Sequence, residues 1–189
     1  MVRILDGFEK LLRKGGYDTI TINDLAKESS TGAGSIYARF DGKRSILLAV
    51  HARARDRARR YFHSLFNPAA NSDETLEAAV ERITRGMFSW HKRHCNVIKT
   101  SLLLDDADIY LGISTSFKPW NQRLAQMLMA RDPVLPEARA TSAATAILQI
   151  TTAALQQWVI FNGISPIGAD LSDEDLIAAL VAASLGQLR

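Results

Sequence analysis

Two stretches of the chain combine residue types that could do chemistry. The first is STGAGSIYARF, from Ser30 to Phe40, in which Gly32 and Gly34 stand one residue apart. A glycine-rich turn can cradle phosphate, but a P-loop follows a strand and closes on Gly-Lys-Ser or Gly-Lys-Thr. No strand pattern precedes Gly32, and Ser35 rather than lysine follows Gly34. A dinucleotide-binding turn also needs a third glycine and a βαβ unit, so both phosphate-loop interpretations fail.

The second stretch, HKRHC, places His91, His94 and Cys95 at positions i, i+3 and i+4 of a predicted helix. One helix face could then present three metal ligands, or a thiol beside a histidine base for nucleophilic catalysis. Nothing in the sequence orients such a base, and the acidic run that follows is interpreted as a loop. Ordinary helix-end histidines are the preferred interpretation, with no metal site, cofactor or enzyme predicted. A metal-binding or enzymatic protein using these three residues is the alternative.

The composition is that of a folded protein from a reducing compartment. The chain has 189 residues, of which 47% are hydrophobic, and one cysteine. This is enough to bury a core, and a single cysteine excludes an internal disulfide framework. No run approaches the roughly 18 apolar residues of a membrane span, and the first ten residues do not have the pattern of a secretory signal. We expect a cytoplasmic protein with no membrane partner.

Charge is distributed unevenly along the chain. Residues 1–63 carry 13 Lys and Arg against 7 Asp and Glu, whereas the whole chain has a net charge of +3. A basic front can bind a phosphate backbone through counterion release. The same charges can equally solvate a surface, so charge alone leaves both interpretations open.

Hydrophobic periodicity is helical throughout, which predicts an all-α fold of about nine helices. The first helix is expected to end at Gly15-Gly16, since glycine tolerates positive φ. Thr21 and Asp24 form a predicted capping box for the second helix. A long helix over about 43–66 is closed by Asn67-Pro68.

Five further helices are expected behind this boundary. They are predicted to run from a cap at Ser72 to about Lys92, from about 95 to 104, from Pro119 to about Arg131, from Pro136 to Asn162-Gly163, and from a cap at Ser172 with Asp175 to the end of the chain.

The runs TINDLAKES and AGSIYARF have the pattern of the two helices of a helix-turn-helix motif, with Ser30-Thr31-Gly32 as the turn. In such a motif the second helix enters the major groove, and its first residues reach the base edges. Ile36 and Phe40, four residues apart, are expected to pack inward, which leaves Tyr37 and Arg39 for solvent or DNA. Gly34 inside this helix costs roughly 1 kcal/mol of helix stability relative to alanine. Its presence indicates that another group comes close to the helix backbone there.

The residues from Ile4 to about Val50 resemble the DNA-binding domain of the tetracycline-repressor (TetR) family of transcriptional regulators. The resemblance rests on LLRKGGYDTITINDLAKES and on GSIYARFDGKRSIL. Two departures stand out: Ser29-Ser30-Thr31-Gly32 replaces the usual Ala-Gly-Val-Ser turn, and the basic arm that often precedes the first helix is missing. The family's run of Gly, Thr or Ser, an aliphatic residue, Tyr, two variable residues, Phe and Lys is matched by Gly34, Ser35, Ile36, Tyr37, Phe40 and Lys43.

The resemblance implies an N-terminal three-helix DNA-binding domain at 1–50, a connecting helix over about 43–66, and a larger ligand-binding and dimerisation domain at 67–189. It also implies a set of contacts with double-stranded DNA. These are phosphate contacts by Thr21 and Lys43, contacts of Ala33, Gly34 and Ser35 with bases or sugars, a phosphate or base edge at Tyr37, and a backbone contact at Arg39.

Members of the family enclose an apolar effector cavity between the helices of the second domain. Plain core packing is the alternative for most of the apolar residues there. The last two long helices are rich in alanine, which lets helices approach closely. The resemblance implies a homodimer through these helices, which presents two recognition helices about one DNA turn apart to a palindromic operator. The predicted cavity lining consists of Met87, Trp90, His91, Tyr110, Trp120, Met127 and Trp158.

The predicted function is that of a ligand-responsive, DNA-binding transcriptional regulator, usually a repressor, which a mostly apolar small molecule releases from its operator. An effector-binding protein with a degenerate DNA-reading head is a further alternative, because the turn at Ser29–Gly32 is unusual.

Overall fold

The computed structural model describes residues 1–71, 73–164, 168 and 170–188, so the predicted cap Ser72 lies outside the described part. Within that part the chain contains no strand, and it forms eight α-helices and one 3-10 turn at Tyr17–Thr19. The predicted all-α fold is confirmed, with eight α-helices instead of about nine. The helices are α1 (Val2–Lys14), α2 (Ile22–Glu28), α3 (Ala33–Tyr37), α4 (Lys43–Leu65), α5 (Leu76–Leu103), α6 (Ala107–Arg131), α7 (Glu137–Ile160) and α8 (Asp173–Gly186).

The chain divides into two compact units. The first contains residues 1–58 and 96–114, and the second contains residues 59–95 and 115–189. These units differ from the predicted domains at 1–50 and 67–189, because the end of α5 and the start of α6 pack into the first unit. The roles assigned to the predicted domains stay predictions. No helix in the described part is both long enough and apolar enough to span a membrane.

The core of the first unit is apolar and positions α3. It combines residues from α1 to α4 with one residue from α6, which explains why the segment 96–114 belongs to this unit. Burying such side chains stabilises the unit by roughly 1.5–3 kcal/mol each. The core consists of Ile4, Leu5, Phe8, Leu12, Ile20, Leu25, Ile36, Phe40, Ile46, Leu47, Val50 and Ile109.

The start of α2 is fixed by a side-chain cap. The hydroxyl oxygen of Thr21 accepts from the backbone N–H of Asp24 at 3.1 Å, and the Asp24 carboxylate accepts from the backbone N–H of Thr21 at 3.2 Å. The predicted capping box is therefore confirmed. Gly15 does end α1, but its φ of −162° is ordinary extended backbone. The expected reason, a glycine with positive φ, was wrong.

Local caps also explain where the later helices begin. Thr75 caps α5, since its hydroxyl accepts from the backbone N–H of Ala78 at 3.2 Å. The two predicted helices at about 72–92 and 95–104 correspond to the two parts of α5, which is kinked at His94 (φ −109°, ψ 17°), close to the predicted break. Asp106 starts α6, because its carboxylate accepts from the N–H of Asp108 at 3.1 Å.

Asp105 and Asp106 lie in the connection between α5 and α6, as the loop interpretation expected, whereas Asp108 lies in the first turn of α6. Pro119, which was expected to open a helix, lies inside α6. A proline inside a helix lacks the N–H that would donate to a carbonyl one turn earlier. The helix nevertheless begins twelve residues before Pro119, at the cap formed by Asp106. By contrast, the predictions for the last two helices are confirmed. Asn162 and Gly163 end α7 with positive φ, and the hydroxyl of Ser172 accepts from the N–H of Asp175 at 3.1 Å.

Three arginines hold the connection between α4 and α5 in the second unit. Arg82 donates to the carbonyl of Leu65 at 2.8 Å, and Arg123 donates to the carbonyl of His63 at 2.8 Å. Both carbonyls lie in the last turn of α4, where no intrahelical donor is left for them. The side chain of Arg131 is 4% exposed and donates to three carbonyls of the connection. These contacts fix the end of α4 within the second unit.

Candidate nucleic-acid interface

The turn between α2 and α3 spans residues 29–32 and is built on polar residues. The hydroxyl of Ser29, buried, donates to the carbonyl of Leu25 at 2.6 Å. Ser30 has a φ of +48°, in the left-handed region that favours glycine. Gly32 has an ordinary φ of −59°. The conformational freedom of a glycine is therefore needed at Ser30 and not at Gly32.

The recognition helix α3 is short and has two distinct sides. Ile36 and Phe40 are 0% and 8% exposed, as their spacing predicted. Tyr37 is 59% exposed, and Gly34 and Ser35 are exposed as well. The predicted helix AGSIYARF keeps helical form to Tyr37 and then closes through turn hydrogen bonds, because the N–H groups of 38, 39 and 40 bond carbonyls three or four residues back. The exposed side is a row of small residues followed by a tyrosine.

No atom lies within 4 Å of the Cβ that a side chain at Gly34 would add. The packing of the protein itself therefore does not require glycine at this position. The other predicted contacts on this face are also accessible, with Ala33 half-buried and Arg39 exposed. The guanidinium of Arg39 donates to the carbonyl of Ser35 at 2.7 Å, which places its charge beside the exposed small residues.

Thr21 lies at the N-terminus of α2 and is exposed. Its hydroxyl donates to the carboxylate of Asp24 at 2.6 Å. The hydrogen bonds from the side chain and then the backbone of Thr21 lower the pKa of Asp24. The cap therefore holds a carboxylate close to the predicted phosphate contact.

Lys43 begins α4 and already has partners in the free protein. Its ammonium donates to the carbonyls of Tyr17 at 3.0 Å and Asp18 at 3.3 Å. It also lies 4.3 Å from the centre of the Tyr17 ring, a cation–π distance. An ammonium has three donors, and these contacts fix Lys43 beside the 3-10 turn.

Sequence reasoning missed the partner of the next residue, Arg44. Its guanidinium binds the carboxylate of Asp106 at 2.8 and 3.1 Å and that of Asp108 at 2.7 Å. These hydrogen bonds lower the pKa of Asp106. The residues are more than 60 positions apart in the chain, so no local pattern could have paired them.

The basic run on α4 is also more ordered than its composition suggested. Arg53 binds the carboxylates of Asp6 at 2.6 Å and Glu9 at 2.6 Å, and Arg57 binds Glu9 at 3.1 Å. Because Asp6 and Glu9 belong to α1, these ion pairs attach α1 to α4. Part of the positive charge in the front of the chain is therefore structural.

Two of the predicted effector residues lie in one aromatic cluster of the second unit. The ring of Phe62 lies 5.5 Å from Trp90 and 4.6 Å from Trp120, measured between ring centres. Both tryptophans are half-buried. Met87 and Met127 are 2% and 0% exposed. The rings of Phe62, Trp90 and Trp120 form a partly accessible aromatic surface, which we call the Phe62 cluster.

The other predicted effector residues lie elsewhere. Trp158 pairs with Phe88, with 5.2 Å between ring centres. Tyr110 lies in the first turn of α6, which belongs to the first unit, and its side chain is 71% exposed. The predicted set is therefore not a single cluster of rings.

The three residues of the HKRHC stretch do not converge on one point. The buried ring of His91 hydrogen bonds the carbonyl of Met87 through Nδ1 at 2.8 Å. Burial lowers the pKa of His91. The ring of His94 lies on that of Trp90, with 4.0 Å between centres. In the described part of the chain no group of three or more His, Cys, Asp and Glu residues is arranged to hold a metal ion.

The fold and this surface define a helix-turn-helix DNA-binding protein: a capped helix, a tight turn, and a second helix whose buried side anchors a face of small residues and Tyr37. The model of the family "Bacterial regulatory proteins, tetR family" matches residues 4–50. Residues 4–50 therefore carry the DNA-binding domain of this family, and the relatives that match the chain are named as transcriptional regulators.

Known relatives and structures agree with this assignment. An uncharacterised HTH-type transcriptional regulator of Lactococcus lactis is 28% identical over 157 residues, which is 78% of each chain. The HTH-type transcriptional repressor KstR of Rhodococcus jostii is 32% identical over 85 residues, or 45% of this chain and 39% of KstR. The structure of FadR from Bacillus subtilis in complex with stearoyl-CoA superposes with a TM-score of 0.64 at 15% identity, covering 99% of this chain and 97% of FadR. At that identity the likeness to FadR concerns the fold.

Proposed function

We propose that the protein is a ligand-responsive repressor, which binds a palindromic operator as a homodimer and is released by a mostly apolar small molecule. One observation carries the proposal. On α3 the exposed face consists of Gly34, Ser35 and Tyr37, while Ile36 and Phe40 anchor the helix in the core. The relative KstR is named a transcriptional repressor, which supports this direction of regulation.

The DNA contacts follow from the exposed face of α3. The major groove admits an α-helix, and small side chains at the start of that helix let its backbone come close to the bases. The space around the position of a Cβ at Gly34 is open. The missing side chain would therefore leave room for DNA to come close to the backbone of α3. Ala33, Gly34 and Ser35 would lie against bases and sugars, and Tyr37 would reach a phosphate or a base edge.

Thr21, Lys43 and Arg39 would bind the backbone. Thr21 stands exposed at the start of α2, and its hydroxyl would donate to a phosphate in place of the Asp24 carboxylate that it binds in the free protein. Lys43 lies at the N-terminus of α4 and is held by backbone carbonyls, so a phosphate would meet an ammonium whose position is already fixed. Residues 1–50 would thus read the operator, while residues 67–189 would bind the effector and form the dimer.

Dimerisation is supported by the exposed face of α8. Ile177, Leu180 and Ser184 are buried against the unit, while small apolar residues face outward on the same helix. A helix that is apolar on both sides needs a partner on each. A second copy would supply it through a twofold axis. The outward residues of α8 are Ala178, Ala179, Ala182 and Gly186.

The Phe62 cluster is the proposed contact surface for the effector. The two half-buried tryptophan rings of this cluster favour an apolar or aromatic molecule. The FadR structure with stearoyl-CoA shows that one protein of this fold was solved with an acyl thioester. The effector would release DNA only through its different affinity for the two states of the protein.

The test is DNA binding by fluorescence anisotropy, using the DNA upstream of the protein's own coding region and random DNA as competitor. Binding should be specific, and log K should fall with log salt by about 0.9 per phosphate neutralised. Tyr37→Ala and Lys43→Ala should weaken binding and leave the fold intact. Tyr110→Ala and Lys118→Ala, at exposed positions outside the proposed interface, are the matched controls.

If Tyr37→Ala and Lys43→Ala bind as tightly as the unsubstituted protein, the proposed contacts are wrong. The protein could instead bind a small molecule but bind no DNA more tightly than it binds random sequence. In that case an effector-binding protein with a degenerate DNA-reading head replaces the repressor.

A further inference from the structure

A second candidate site lies in a cleft of the second unit, between α5 and the first turn of α8. The cleft has a volume of about 570 Å³ and is lined by five residues of α5 between 85 and 93 and three residues of α8 between 173 and 177. This volume suits a small organic ligand. None of the residues predicted to bind the effector belongs to the lining.

The floor of the cleft is apolar. Phe88 and Ile177 line it and are 5% and 4% exposed. The ring of Trp158 lies 5.2 Å from that of Phe88, so the floor rests on a second aromatic side chain. A hydrocarbon chain or an aromatic ring placed here would bury apolar surface against the accessible edges of Phe88 and Ile177.

The rim of the cleft is charged, and its three cations differ in whether they have a carboxylate partner. Lys92 pairs with Asp173 at 2.5 Å, and Arg85 pairs with Glu174 at 2.8 Å. Arg93 also lines the cleft, and it has no carboxylate partner among the residues that the structure describes. Arg85 also binds Glu81, which lies outside the lining, at 2.8 Å. The charge left without a carboxylate partner in the described lining is therefore that of Arg93, and it favours one added negative charge over an added positive one.

We propose that this cleft binds a small apolar carboxylate, with its hydrocarbon part on Phe88 and Ile177 and its carboxylate at Arg93 and Lys92. A single carboxylate matches Arg93, the one cation of the described lining without a carboxylate partner, whereas a polyanion would face Asp173 and Glu174. The ligand's carboxylate competes with Asp173 for Lys92. Binding therefore loosens an ion pair that attaches the first turn of α8 to α5.

This competition gives the ligand a route to regulation, which rests on the proposed function because α8 is the proposed dimer helix. A ligand that shifts the first turn of α8 changes the geometry of the dimer. The spacing of the two recognition helices then changes with it.

Isothermal titration calorimetry on the full-length protein without DNA tests the proposal, with octanoate and 4-phenylbutyrate as probes and the corresponding amides as neutral analogues. Both carboxylates should bind, and both amides should bind at least about tenfold more weakly. Arg93→Gln should weaken carboxylate binding about tenfold. Asp173→Asn should strengthen it, because the competing carboxylate is gone. Lys118→Gln, a lysine outside the lining, is the control for loss of charge.

Three results would overturn the proposal: no binding of either carboxylate, equal binding of acids and amides, or unchanged affinity in both Arg93→Gln and Asp173→Asn. Since the titration contains no DNA, such a failure leaves operator binding to its own test. Loss of operator binding in the anisotropy experiment would likewise leave the cleft assignment standing.

Discussion

The guanidinium of Arg44, the second residue of α4, holds the carboxylate of Asp106, which caps α6, through hydrogen bonds of 2.8 and 3.1 Å. The same carboxylate accepts from the backbone N–H groups of Asp108 and Ile109 at 3.1 and 3.4 Å. One side chain therefore starts α6 and attaches it to α4 within the first unit. Because Lys43 precedes Arg44, this contact also fixes the backbone beside a proposed phosphate contact.

Asp106→Asn should lower the melting temperature by a few degrees, since the amide weakens both the ion pair and the helix cap. Asp108→Asn is the matched control. Its carboxylate is 64% exposed and binds Arg44 at 2.7 Å, so the change should be smaller. Thermal unfolding followed by circular dichroism measures both. Equal melting temperatures for the two variants would contradict the role assigned to Asp106.

Gly34→Ala should separate DNA binding from stability. The added methyl meets no atom within 4 Å, and alanine favours the helix over glycine by up to about 1 kcal/mol. The free protein should therefore be as stable or more stable. Operator affinity should fall, because the methyl group occupies the space proposed for DNA.

Gly7→Ala is the contrasting variant for this experiment. Its Cβ would lie 3.1 Å from the Cβ of Ser29 and 3.2 Å from the backbone nitrogen of Ser29. This overpacking should destabilise the protein by about 1 kcal/mol or more. Urea unfolding and anisotropy are measured on both variants. Unchanged operator affinity in a folded Gly34→Ala protein would mean that DNA does not approach this position.

Much of the first unit could be predicted from local sequence. The capping box of Thr21 and Asp24 and the inward side of α3 depend on spacings of three or four residues, which fix geometry within a helix. The pairing of Arg44 with Asp106 depends on how distant segments pack, and no local rule contains that information. The same applies to Pro119, whose usual position in a first helical turn was overridden by the cap in front of it.

The effector region was less predictable for the same reason. Trp90 and Trp120 meet on Phe62 because three helices converge there. Trp158 is also a tryptophan, but its ring packs against Phe88. Residue type predicts that such rings are partly buried, whereas the choice of neighbour is decided by tertiary packing.

Ser30→Gly should stabilise the protein by about 1 kcal/mol. Ser30 holds a φ of +48°, which costs a residue with a side chain roughly 1–2 kcal/mol. Gly32→Ala is the control at the neighbouring glycine, where φ is −59° and no atom lies within 4 Å of an added Cβ. It should leave stability nearly unchanged. Urea denaturation compares the two, and a loss of stability in Ser30→Gly would show that the serine side chain is needed in the turn.

His51 should make the protein less stable in mild acid. Burial, followed by the charge of Arg55, lowers the pKa of His51 to about 4, although Asp106 acts in the opposite direction. The unfolded chain protonates its histidine near the usual pKa of about 6.5. Between these values the unfolded state binds more protons, so stability is complete above pH ~6.5 and falls by up to about 3 kcal/mol as the pH approaches 4.

The measurement is urea denaturation at a series of pH values across that window. His51→Gln should flatten the slope, since glutamine does not titrate. His63→Gln replaces an exposed histidine and should leave the slope unchanged. A slope that persists in His51→Gln would assign the acid sensitivity to other groups.

Ala182→Arg should convert a dimer into a monomer. Ala182 is exposed on α8, and a long charged side chain there would place an unpaired charge in the proposed interface. Light scattering after gel filtration should give half the mass of the unsubstituted protein, and operator affinity should fall because the two recognition helices are no longer linked. Ala130→Arg, at an exposed alanine near the end of α6, should remain dimeric. If Ala182→Arg is also a dimer with unchanged operator affinity, the outward face of α8 is not the interface.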